Sequence, residues 1–401
     1  MSEQRILGGS RAVFALSVAR LGDAVGNSIL IVIIPLYVAK LPSPWLPFSD
    51  PVRTGILISA FGLANALLQP VAGSLSDWLR RRKLFIQAGL GLMAAATLVS
   101  AWINTFTLLL LLRIVQGIGV ALTIAASISL MASLTEKKTR GSSMGLYTAM
   151  RMIGFAIGPV LGGFLYDRFG FAPSFYVGAA FILVGVIMVQ LWVNDVPQDE
   201  DASAAKPKLR LFDPDLLSSD LVSLAFATFA MASAYSMVAT LENEFNARLH
   251  QTALAFGIGM SALIASRLIF QFPAGWLSDR VGRRILVVIG LGVMATVTPF
   301  LGLIKTSLGF TVLRGLQGIA SAGIAAPAFA LAGDLASAGK EGQQMSLVTM
   351  GFGLGIATGP LIAALLSPVL FVLPFIVGGL LSLVAIWIVY RYVPETIESQ
   401  E

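Results

Sequence analysis

Residues 69–83 read QPVAGSLSDWLRRRK, and residues 271–284 read QFPAGWLSDRVGRR. In both stretches an apolar run is followed by Ala-Gly, then by Leu-Ser-Asp, and then by a basic cluster. Gly73 matches Gly275, which is a shift of 202 residues along the chain. A motif of this length that returns half a chain later predicts that the protein is built from two related halves.

Two further pairs of motifs follow nearly the same shift. Arg-Ile-Val-Gln-Gly at 113–117 matches Arg-Gly-Leu-Gln-Gly at 314–318, a shift of 201 residues. Gly-x-x-x-Gly-Pro at 154–159 matches the same pattern at 355–360, again at 201. Three motifs in one order at nearly one offset indicate an internal duplication, which is a feature of many transporter folds.

The composition indicates that the bilayer is the solvent for most of the chain. Of the 401 residues, 56% are hydrophobic and 12% are charged, and the mean hydropathy is +0.84. Soluble domains carry about 25% charged residues, and a membrane span needs roughly 20 mostly apolar residues. We predict twelve spans, rich in Leu, Ala and Gly and therefore helical, at 12–38, 53–77, 84–103, 106–131, 142–166, 173–193, 221–246, 252–277, 285–304, 308–331, 343–366 and 370–390.

Several classes of site are excluded by what the sequence lacks. The chain has no cysteine and a single histidine, His250, so it offers neither a disulfide framework nor a multi-histidine metal site. It has no G-x-x-x-x-G-K-[ST] loop for nucleotide phosphates. We expect no cofactor, no metal, no catalytic activity and, despite the net charge of +6, no nucleic-acid partner.

The basic residues are distributed unequally between the two sides of the predicted spans. Of the 27 lysines and arginines, 17 fall on the side of the chain termini, 5 on the other side and 5 within spans. The positive-inside rule therefore predicts cytoplasmic termini and a multi-pass protein of the plasma (inner) membrane. The longest polar break, 194–219, is predicted to link an N-terminal bundle (1–193) to a C-terminal bundle (220–401).

Six spans on each side of this linker predict two pseudo-symmetric six-helix bundles related by an axis along the membrane normal. Such bundles can rock about a central site and expose it to each side in turn. The three motif pairs resemble those of the major facilitator superfamily, and the match covers nearly the whole chain. The resemblance implies an all-α membrane protein with the major facilitator fold. It also implies that the protein is a secondary transporter.

The loop motifs resemble the family's signature between its second and third spans. The resemblance implies a latch, on the side of the termini, that stabilises one state of the transporter, and the alternative is a simple topology anchor. The predicted latch residues are Gly73, Asp77, Arg81, Arg82, Asp279 and Arg283.

Charge inside a span is unfavourable and usually faces a cavity or a partner. Asp23 and Arg113 fall at similar predicted depths, and in the family the first and fourth spans line the central cavity. We therefore predict a proton-coupling site of Asp23, Arg113 and Gln116, because low dielectric favours a neutral carboxyl and a nearby arginine favours the anion. The alternative is a permanent ion pair of Asp23 with Arg20 or Arg113.

A substrate cavity is the second predicted site. Its candidate residues are Asn27, Glu242, Arg267 and Arg314. We expect Glu242 and Glu244 to be solvated charges that end the seventh span, with binding of a cationic substrate or a proton as the alternative. Arg151 and Arg267 could meet an anionic group, or could be paired or snorkelling.

The fifth span carries a glycine motif that resembles the one typical of the drug:proton antiporter branch of the family. It consists of Gly154, Gly158, Pro159, Gly162 and Gly163. Small residues allow helices to pack closely, and proline removes a backbone hydrogen bond. In the family this region seals the bundles against ion leak, and the alternative is generic helix packing.

The sequence therefore favours a proton-coupled exporter of amphiphilic small molecules. A proton-coupled importer of a sugar, an organic acid or another small nutrient is the first alternative. A membrane receptor, scaffold or intramembrane enzyme is the second. The expected partners are a small-molecule substrate, protons and membrane lipids, and the family resemblance implies a monomer.

Overall fold

The computed structural model describes residues 3–43, 48–79, 81–135, 139–194, 218–335 and 341–396. Within these ranges the chain forms thirteen α-helices and no strand. The helices are α1 (Glu3–Val38), α2 (Asp50–Trp78), α3 (Arg82–Val99), α4 (Phe106–Leu134), α5 (Arg140–Phe169), α6 (Phe171–Trp192), α7 (Ser219–Ser236), α8 (Glu242–Leu249), α9 (Ala253–Val281), α10 (Arg283–Leu301), α11 (Ser307–Asp334), α12 (Glu341–Leu366) and α13 (Leu373–Tyr392).

Twelve of these helices are long and apolar enough to cross a membrane, and α8 is the short one. The twelve agree with the twelve predicted spans, and most boundaries fall within three residues of their predicted positions. This confirms the all-α, twelve-span fold class. Helices satisfy their own backbone hydrogen bonds, which is why apolar runs of this length adopt them in a bilayer.

The predicted seventh span is wrong in its last third. Instead of one helix over 221–246, α7 ends at Ser236, a 3₁₀ turn covers Met237–Thr240, and α8 begins at Glu242. Glu242 and Glu244 therefore occupy the first turn of a new helix and do not end α7. The partial positive charge of a helix N-terminus stabilises carboxylates there, and the C-terminus of α7 would not.

The short helix α8 is held by one aromatic side chain. Phe245 is fully buried, and its ring centroid lies 5.0 Å from that of Phe310 and 5.1 Å from that of Phe371. Phe256 and Phe375 complete the cluster at 6.3 and 5.7 Å. Packing of this kind, more than helix propensity, stabilises a helix of only eight residues.

The chain divides into two compact units. Unit 1 contains Met1–Ile33, Leu41–Trp45 and Leu63–Leu211, and unit 2 contains Ile34–Lys40, Leu46–Gly62 and Phe212–Glu401. Unit 2 thus includes the first part of α2, where Ser59 Oγ donates to the Ala357 carbonyl at 2.5 Å. The predicted linker, 194–219, lies almost wholly outside the described residues, and the division into bundles at that point stays a prediction.

Close helix packing within unit 1 depends on small residues in α3 and α4. A Cβ atom on Gly89 would lie 2.5 Å from the Gly119 carbonyl oxygen and 2.3 Å from Thr123 Oγ1. Gly91, two residues away on the same helix, has no neighbour within 4 Å of such a Cβ. Only Gly89 therefore faces α4 at backbone distance.

We predict that Gly89→Ala lowers stability by roughly 1–3 kcal/mol, the range for inserting a methyl group into a packed interior. Gly91→Ala should be neutral or stabilising by up to about 1 kcal/mol, because alanine is the better helix former. Unfolding of the two variants in detergent measures the difference. Equal effects would show that α3 and α4 do not approach each other at Gly89.

Glu244, at the start of α8, is a group outside the spans with a shifted protonation equilibrium. Burial raises its pKa above the ordinary 4.5, Asp50 adds to the rise, and its own backbone N–H and Arg248 oppose it. A carboxyl whose pKa is raised on folding contributes stability below its unfolded pKa, and this contribution is lost as the pH rises through the folded pKa.

Glu244→Gln should therefore raise the melting temperature at pH 7 relative to the parent chain, because glutamine has no charge to bury. The difference should shrink as the pH falls below about 4.5, where the carboxyl is neutral in both states. Thermal unfolding at the two pH values measures it. A gain of the same size at both would attribute the effect to packing and not to ionisation.

Candidate functional site

Asp23 is the only aspartate or glutamate inside the first span, and it is nearly inaccessible, with 2% of its surface exposed. Its Oδ2 forms an ion pair with Arg20, and its Oδ1 accepts a hydrogen bond from Asn27 Nδ2 at 2.6 Å. All three residues lie on α1 at spacings of three and four, so one helix face presents them together. The structure therefore shows Arg20 as the ion-pair partner of Asp23. Asn27, predicted for the substrate cavity, hydrogen-bonds to the same carboxylate.

Arg20 reaches a second helix through an aromatic ring. Its guanidinium carbon lies 5.7 Å from the ring centroid of Tyr147 on α5, within the range of a cation–π contact. The Tyr147 hydroxyl is buried and hydrogen-bonds to no residue that the structure describes. The Arg20–Asp23 ion pair therefore lies where α1 contacts α5 within unit 1. The Tyr147 hydroxyl beside it can form a further hydrogen bond.

Arg113 and Gln116 form the second part of the predicted proton-coupling site. Arg113 Nη1 donates to Gln116 Oε1 at 3.0 Å, and Gln116 Nε2 donates to Thr97 Oγ1 at 2.9 Å. All three side chains are buried. The glutamine amide thus acts as a bridge, with its oxygen on the arginine and its nitrogen on a hydroxyl of α3.

The same chain of hydrogen bonds recurs in unit 2 at a shift of 201 residues. Arg314 Nη1 donates to Gln317 Oε1 at 2.7 Å, and Gln317 Nε2 donates to Thr298 Oγ1 at 3.0 Å. Arg314 also donates to the Tyr235 carbonyl at 3.0 Å. Duplication has preserved a local geometry here together with the motif.

Arg267 and Glu242 are the other two residues predicted for the substrate cavity. The Arg267 guanidinium lies over the Phe352 ring, 5.3 Å from its centroid. Glu242 is fully buried in the first turn of α8, and Asn246 Nδ2 lies 3.5 Å from its Oε1. The expectation that Glu242 is a solvated helix-end charge is wrong, because α8 is packed into unit 2 by Phe245.

The glycine motif of α5 packs against α1. A Cβ on Gly154 would lie 2.8 Å from the Leu21 carbonyl oxygen, and one on Gly158 would lie 1.8 Å from Ser28 Oγ. One on Gly162 would lie 2.8 Å from the Ile29 carbonyl oxygen. Pro159 and Gly163 are buried in the same helix.

Spaced by four, these three glycines form one face, which holds α5 at backbone distance from the helix that carries Asp23. Ser28 Oγ donates to the Gly154 carbonyl at 3.1 Å and adds a hydrogen bond to the contact. In unit 2, Ser236 Oγ on α7 donates to the Gly355 carbonyl at 3.3 Å. A hydrogen bond from a serine hydroxyl to a glycine carbonyl therefore joins two helices in each unit.

The basic loop of unit 2 forms a closed network at the end of α9. Arg283 donates from Nη2 to Asp279 at 2.9 Å and pairs with Asp334 through Nη1. Asp334 also accepts a hydrogen bond from Thr396 Oγ1 at 2.7 Å. Two carboxylates and a hydroxyl from three elements thus converge around one guanidinium.

Glu395 completes this network from the C-terminal segment. Its carboxylate accepts hydrogen bonds from the backbone N–H groups of Arg283 at 2.9 Å and Arg284 at 3.0 Å. These are the first residues of α10, whose N–H groups have no partner within the helix. Gly282, with φ +113°, makes the turn, and a Cβ there would lie 2.7 Å from Glu395 Oε2.

In the corresponding loop of unit 1, the described contacts include a serine in place of a carboxylate. Arg82 Nη1 donates to Ser133 Oγ at 3.1 Å, so a serine stands where unit 2 has Asp334, again at a shift of 201. Gly73 lies in α2, and Arg81 is exposed just before α3. Asp77 falls in α2, and its side chain lies outside the described residues.

Sequence reasoning missed four members of these networks. Thr97 and Thr298 obey the 201 shift, and that shift could have revealed them because both are buried polar residues in apolar runs. Asp334 and Glu395 carried no such signal, since Ser133 replaces one in the first half and the other lies in a terminal tail. Among the described residues no group of three His, Asp or Glu could hold a metal ion.

Replacement of Thr298 by valine should destabilise the chain by roughly 1–3 kcal/mol, because Gln317 Nε2 would stay buried without its acceptor. Thr97→Val should have a similar effect in unit 1. Thr296→Val is the matched control, since Thr296 is exposed on the same helix and its hydroxyl bonds only its own helix backbone. Unfolding in detergent compares the three, and equal losses for Thr296 and Thr298 would contradict a structural role for the glutamine bridge.

Comparison with known proteins matches a family model described as the Major Facilitator Superfamily, over residues 16–267 and 221–401. An uncharacterised MFS-type transporter of Methanocaldococcus jannaschii is 25% identical over 371 residues, 89% of this chain and 92% of that protein. Multidrug resistance protein MdtG of Serratia proteamaculans is 24% identical over 297 residues, 73% of this chain and 72% of its own length. Quinolone resistance protein NorA of Staphylococcus aureus is 27% identical over 221 residues, 54% of each chain.

Solved structures agree on the fold. A bacterial homologue of the human lysosomal transporter Spinster, in an inward-facing and occupied conformation, superposes with a TM-score of 0.78 at 16% identity and covers 96% of both chains. The human organic anion transporter MFSD10 superposes with a TM-score of 0.66 at 17% identity and covers 95% of this chain and 99% of its own. With twelve spans, duplicated motifs and a family match over most of its length, the chain is a multi-pass membrane transporter that belongs to the Major Facilitator Superfamily and resembles its drug-resistance members.

Proposed function

We propose that this transporter exports amphiphilic small molecules in exchange for protons by alternating access. The observation that carries the proposal is the buried Asp23 carboxylate, held by Arg20 and Asn27 inside the first span. An ionisable group in a span is unfavourable unless it is paired or functional. The resemblance to MdtG and NorA supports export over import, and neither alternative function has an observation of its own.

Proton binding at Asp23 would change the contacts of Arg20. The ionised carboxylate holds the guanidinium, and protonation would remove the negative charge from this pair. Arg20 would then keep its contact with Tyr147 on α5 and lose its partner on α1. Since the glycine face holds α1 and α5 at backbone distance, a change in this pair acts where the two helices meet. Loading and release of one proton can thereby bias one conformation over another.

Arg113 and Gln116 extend the coupling site in this proposal. Gln116 fixes the guanidinium of Arg113 within α4, and a positive charge held in unit 1 opposes protonation of Asp23. Binding of substrate near these charges would alter that balance. Substrate binding and protonation of Asp23 would then influence each other, which exchange in opposite directions requires.

The loop networks are the proposed latch. In unit 2, the Arg283 side chain forms ion pairs with Asp279 and Asp334, and its backbone N–H donates to Glu395. Asp77 and Arg82 are the proposed counterpart in unit 1. A switch needs only a few kcal/mol of difference between two states to shift their populations strongly, and a network of several charge-assisted hydrogen bonds is of that size.

The distribution of basic residues supports a plasma (inner) membrane protein with both termini in the cytoplasm, and the family resemblance supports a monomer. The 17 basic residues on the terminal side include the latch arginines. In this orientation the latch would face the cytoplasm, and the Asp23 site would lie within the bilayer.

Asp23→Asn should abolish proton-driven export and leave substrate binding intact. Asparagine keeps the shape and the hydrogen bond with Asn27 but cannot load a proton. The measurement uses proteoliposomes that contain the full chain and rhodamine 123 as the reporter, with an imposed pH gradient. Asp50→Asn is the matched control, because Asp50 also pairs with an arginine three residues away, but at the start of α2 and with a far more exposed side chain than that of Asp23.

Three results can be told apart. Loss of gradient-driven flux in Asp23→Asn alone supports the coupling role, and retained dye binding shows that the variant is folded. Undiminished coupling in this variant would refute the assignment. Movement of dye and protons in the same direction in the parent protein would instead establish the importer.

A further inference from the structure

From the start of α9 to the end of α13, the charged residues that lie well inside the helices are all positive. Between Ala253 and Tyr392 the acidic residues are Asp279, Asp334 and Glu341, all within three residues of a helix end. The same stretch has two arginines well inside its helices, Arg267 and Arg314. Unit 1 has the opposite sign available at Asp23. An arginine inside a span that pairs with no carboxylate of the protein can take its counter-charge from a ligand.

Arg267 lies at the middle of its helix. It is fourteen residues from Ala253 and fourteen from Val281, the two ends of α9. At 1.5 Å per residue this places it about 21 Å from either end. An arginine side chain is far shorter than that, so Arg267 cannot snorkel to the headgroups. It has to face protein or an aqueous path.

The contacts of Arg267 leave its hydrogen-bond donors available. Its guanidinium lies over Phe352, 5.3 Å from the ring centroid. Among the residues that the structure describes, Arg267 forms no ion pair and donates no hydrogen bond, and its Nε is buried without an acceptor. Gln271, one turn further along α9, also has a buried Oε1 without a partner. A half-buried guanidinium in this condition is suited to accept an anion.

Arg314 shows the contrast. Its guanidinium donates to Gln317, to the Tyr235 carbonyl and to the Met260 sulfur, and only 1% of its surface is exposed. Its Nη atoms are held by neutral acceptors, while its Nε, like that of Arg267, is buried without one. Arg267 has no such acceptors, although both arginines belong to unit 2.

Two aromatic rings, tilted by 48° to each other, lie beside Arg267. The Phe352 and Tyr235 ring centroids are 6.3 Å apart, and both rings are half-buried. Aromatic faces pack well against flat ring systems and also stabilise the cation itself. The site therefore offers one positive group and one aromatic platform, which together select for a molecule with an anionic end and a planar body.

We propose that Arg267 binds the anionic group of amphiphilic organic anions, such as aromatic carboxylates and sulfonates, whose planar body packs against Phe352 and Tyr235. This inference rests on the proposed transport function and specifies its substrate class. The guanidinium matches a carboxylate or sulfonate in a bidentate manner. A cationic molecule of the same shape would gain no charge-assisted hydrogen bond from Arg267.

The test compares two dyes that share a xanthene ring system, fluorescein as the anion and rhodamine 123 as the cation. Binding is measured by fluorescence anisotropy with the full chain in lipid nanodiscs at one pH and without a gradient. Arg267→Gln should weaken fluorescein binding roughly tenfold or more, the loss expected for a charge-assisted hydrogen bond. Rhodamine 123 binding should not weaken, which also shows that the variant is folded.

Two further variants sharpen the result. Arg267→Lys keeps the charge and should retain part of the affinity for fluorescein. Arg248→Gln is the matched control, since Arg248 also lies over a phenylalanine ring, 4.0 Å from the Phe371 centroid, but is exposed on α8 outside the spans. It should leave fluorescein binding unchanged.

The inference would be overturned if the parent protein bound no fluorescein, or if Arg267→Gln weakened both dyes equally. Gradient-driven flux of rhodamine 123 without fluorescein binding would overturn it too, while proton-coupled export would stand. Fluorescein binding that needs Arg267, with no gradient-driven flux of either dye, would support the anion site and count against the proposed export.

Discussion

A guanidinium inside a bilayer is unfavourable unless the protein supplies acceptors for its N–H groups, and this constraint shapes both halves of the transporter. Arg113 and Arg314 meet it in the same way, with a glutamine one turn along the helix whose amide passes the hydrogen bond to a threonine on the preceding span. Each bridge ties two helices of one unit together. The bridge recurs at a single offset because all three of its members are needed at once: loss of any one leaves buried polar groups without partners.

Asp23 and Arg267 are charged residues inside spans that belong to neither of these bridges. Asp23 is held by Arg20 on its own helix, and the pair is backed by Tyr147 on α5. Arg267 rests on Phe352 and has donors to spare. We propose that the first of these groups binds a proton in unit 1 and that the second binds the anionic group of a ligand in unit 2. Export of organic anions against protons would use the two complementary charges in the two units.

The loops show how duplicated halves diverge once their shared geometry is secured. Arg82 and Arg283 occupy equivalent positions, but Arg82 meets Ser133 and Arg283 meets Asp334. Glu395 then adds a cap on the first N–H groups of α10. In unit 2 the described network therefore joins α9, α10, α11 and the segment after α13 through three carboxylates.

Much of the fold was determined by the sequence alone. Twelve apolar runs each long enough to cross a bilayer can only be helices there, and three motifs at one offset require a duplication, so the architecture followed without coordinates. The predicted polar residues Asp23, Arg113, Gln116 and Arg267 were also correctly recognised as buried or partly buried in spans. Tertiary structure decided their partners: Arg20 for Asp23, Thr97 for Gln116 and Phe352 for Arg267. It also decided that Glu242 is buried at the start of α8 and that Glu395 caps α10. Partner choice depends on the rotation of each helix about its axis and on contacts between residues far apart in the chain, and hydropathy records neither.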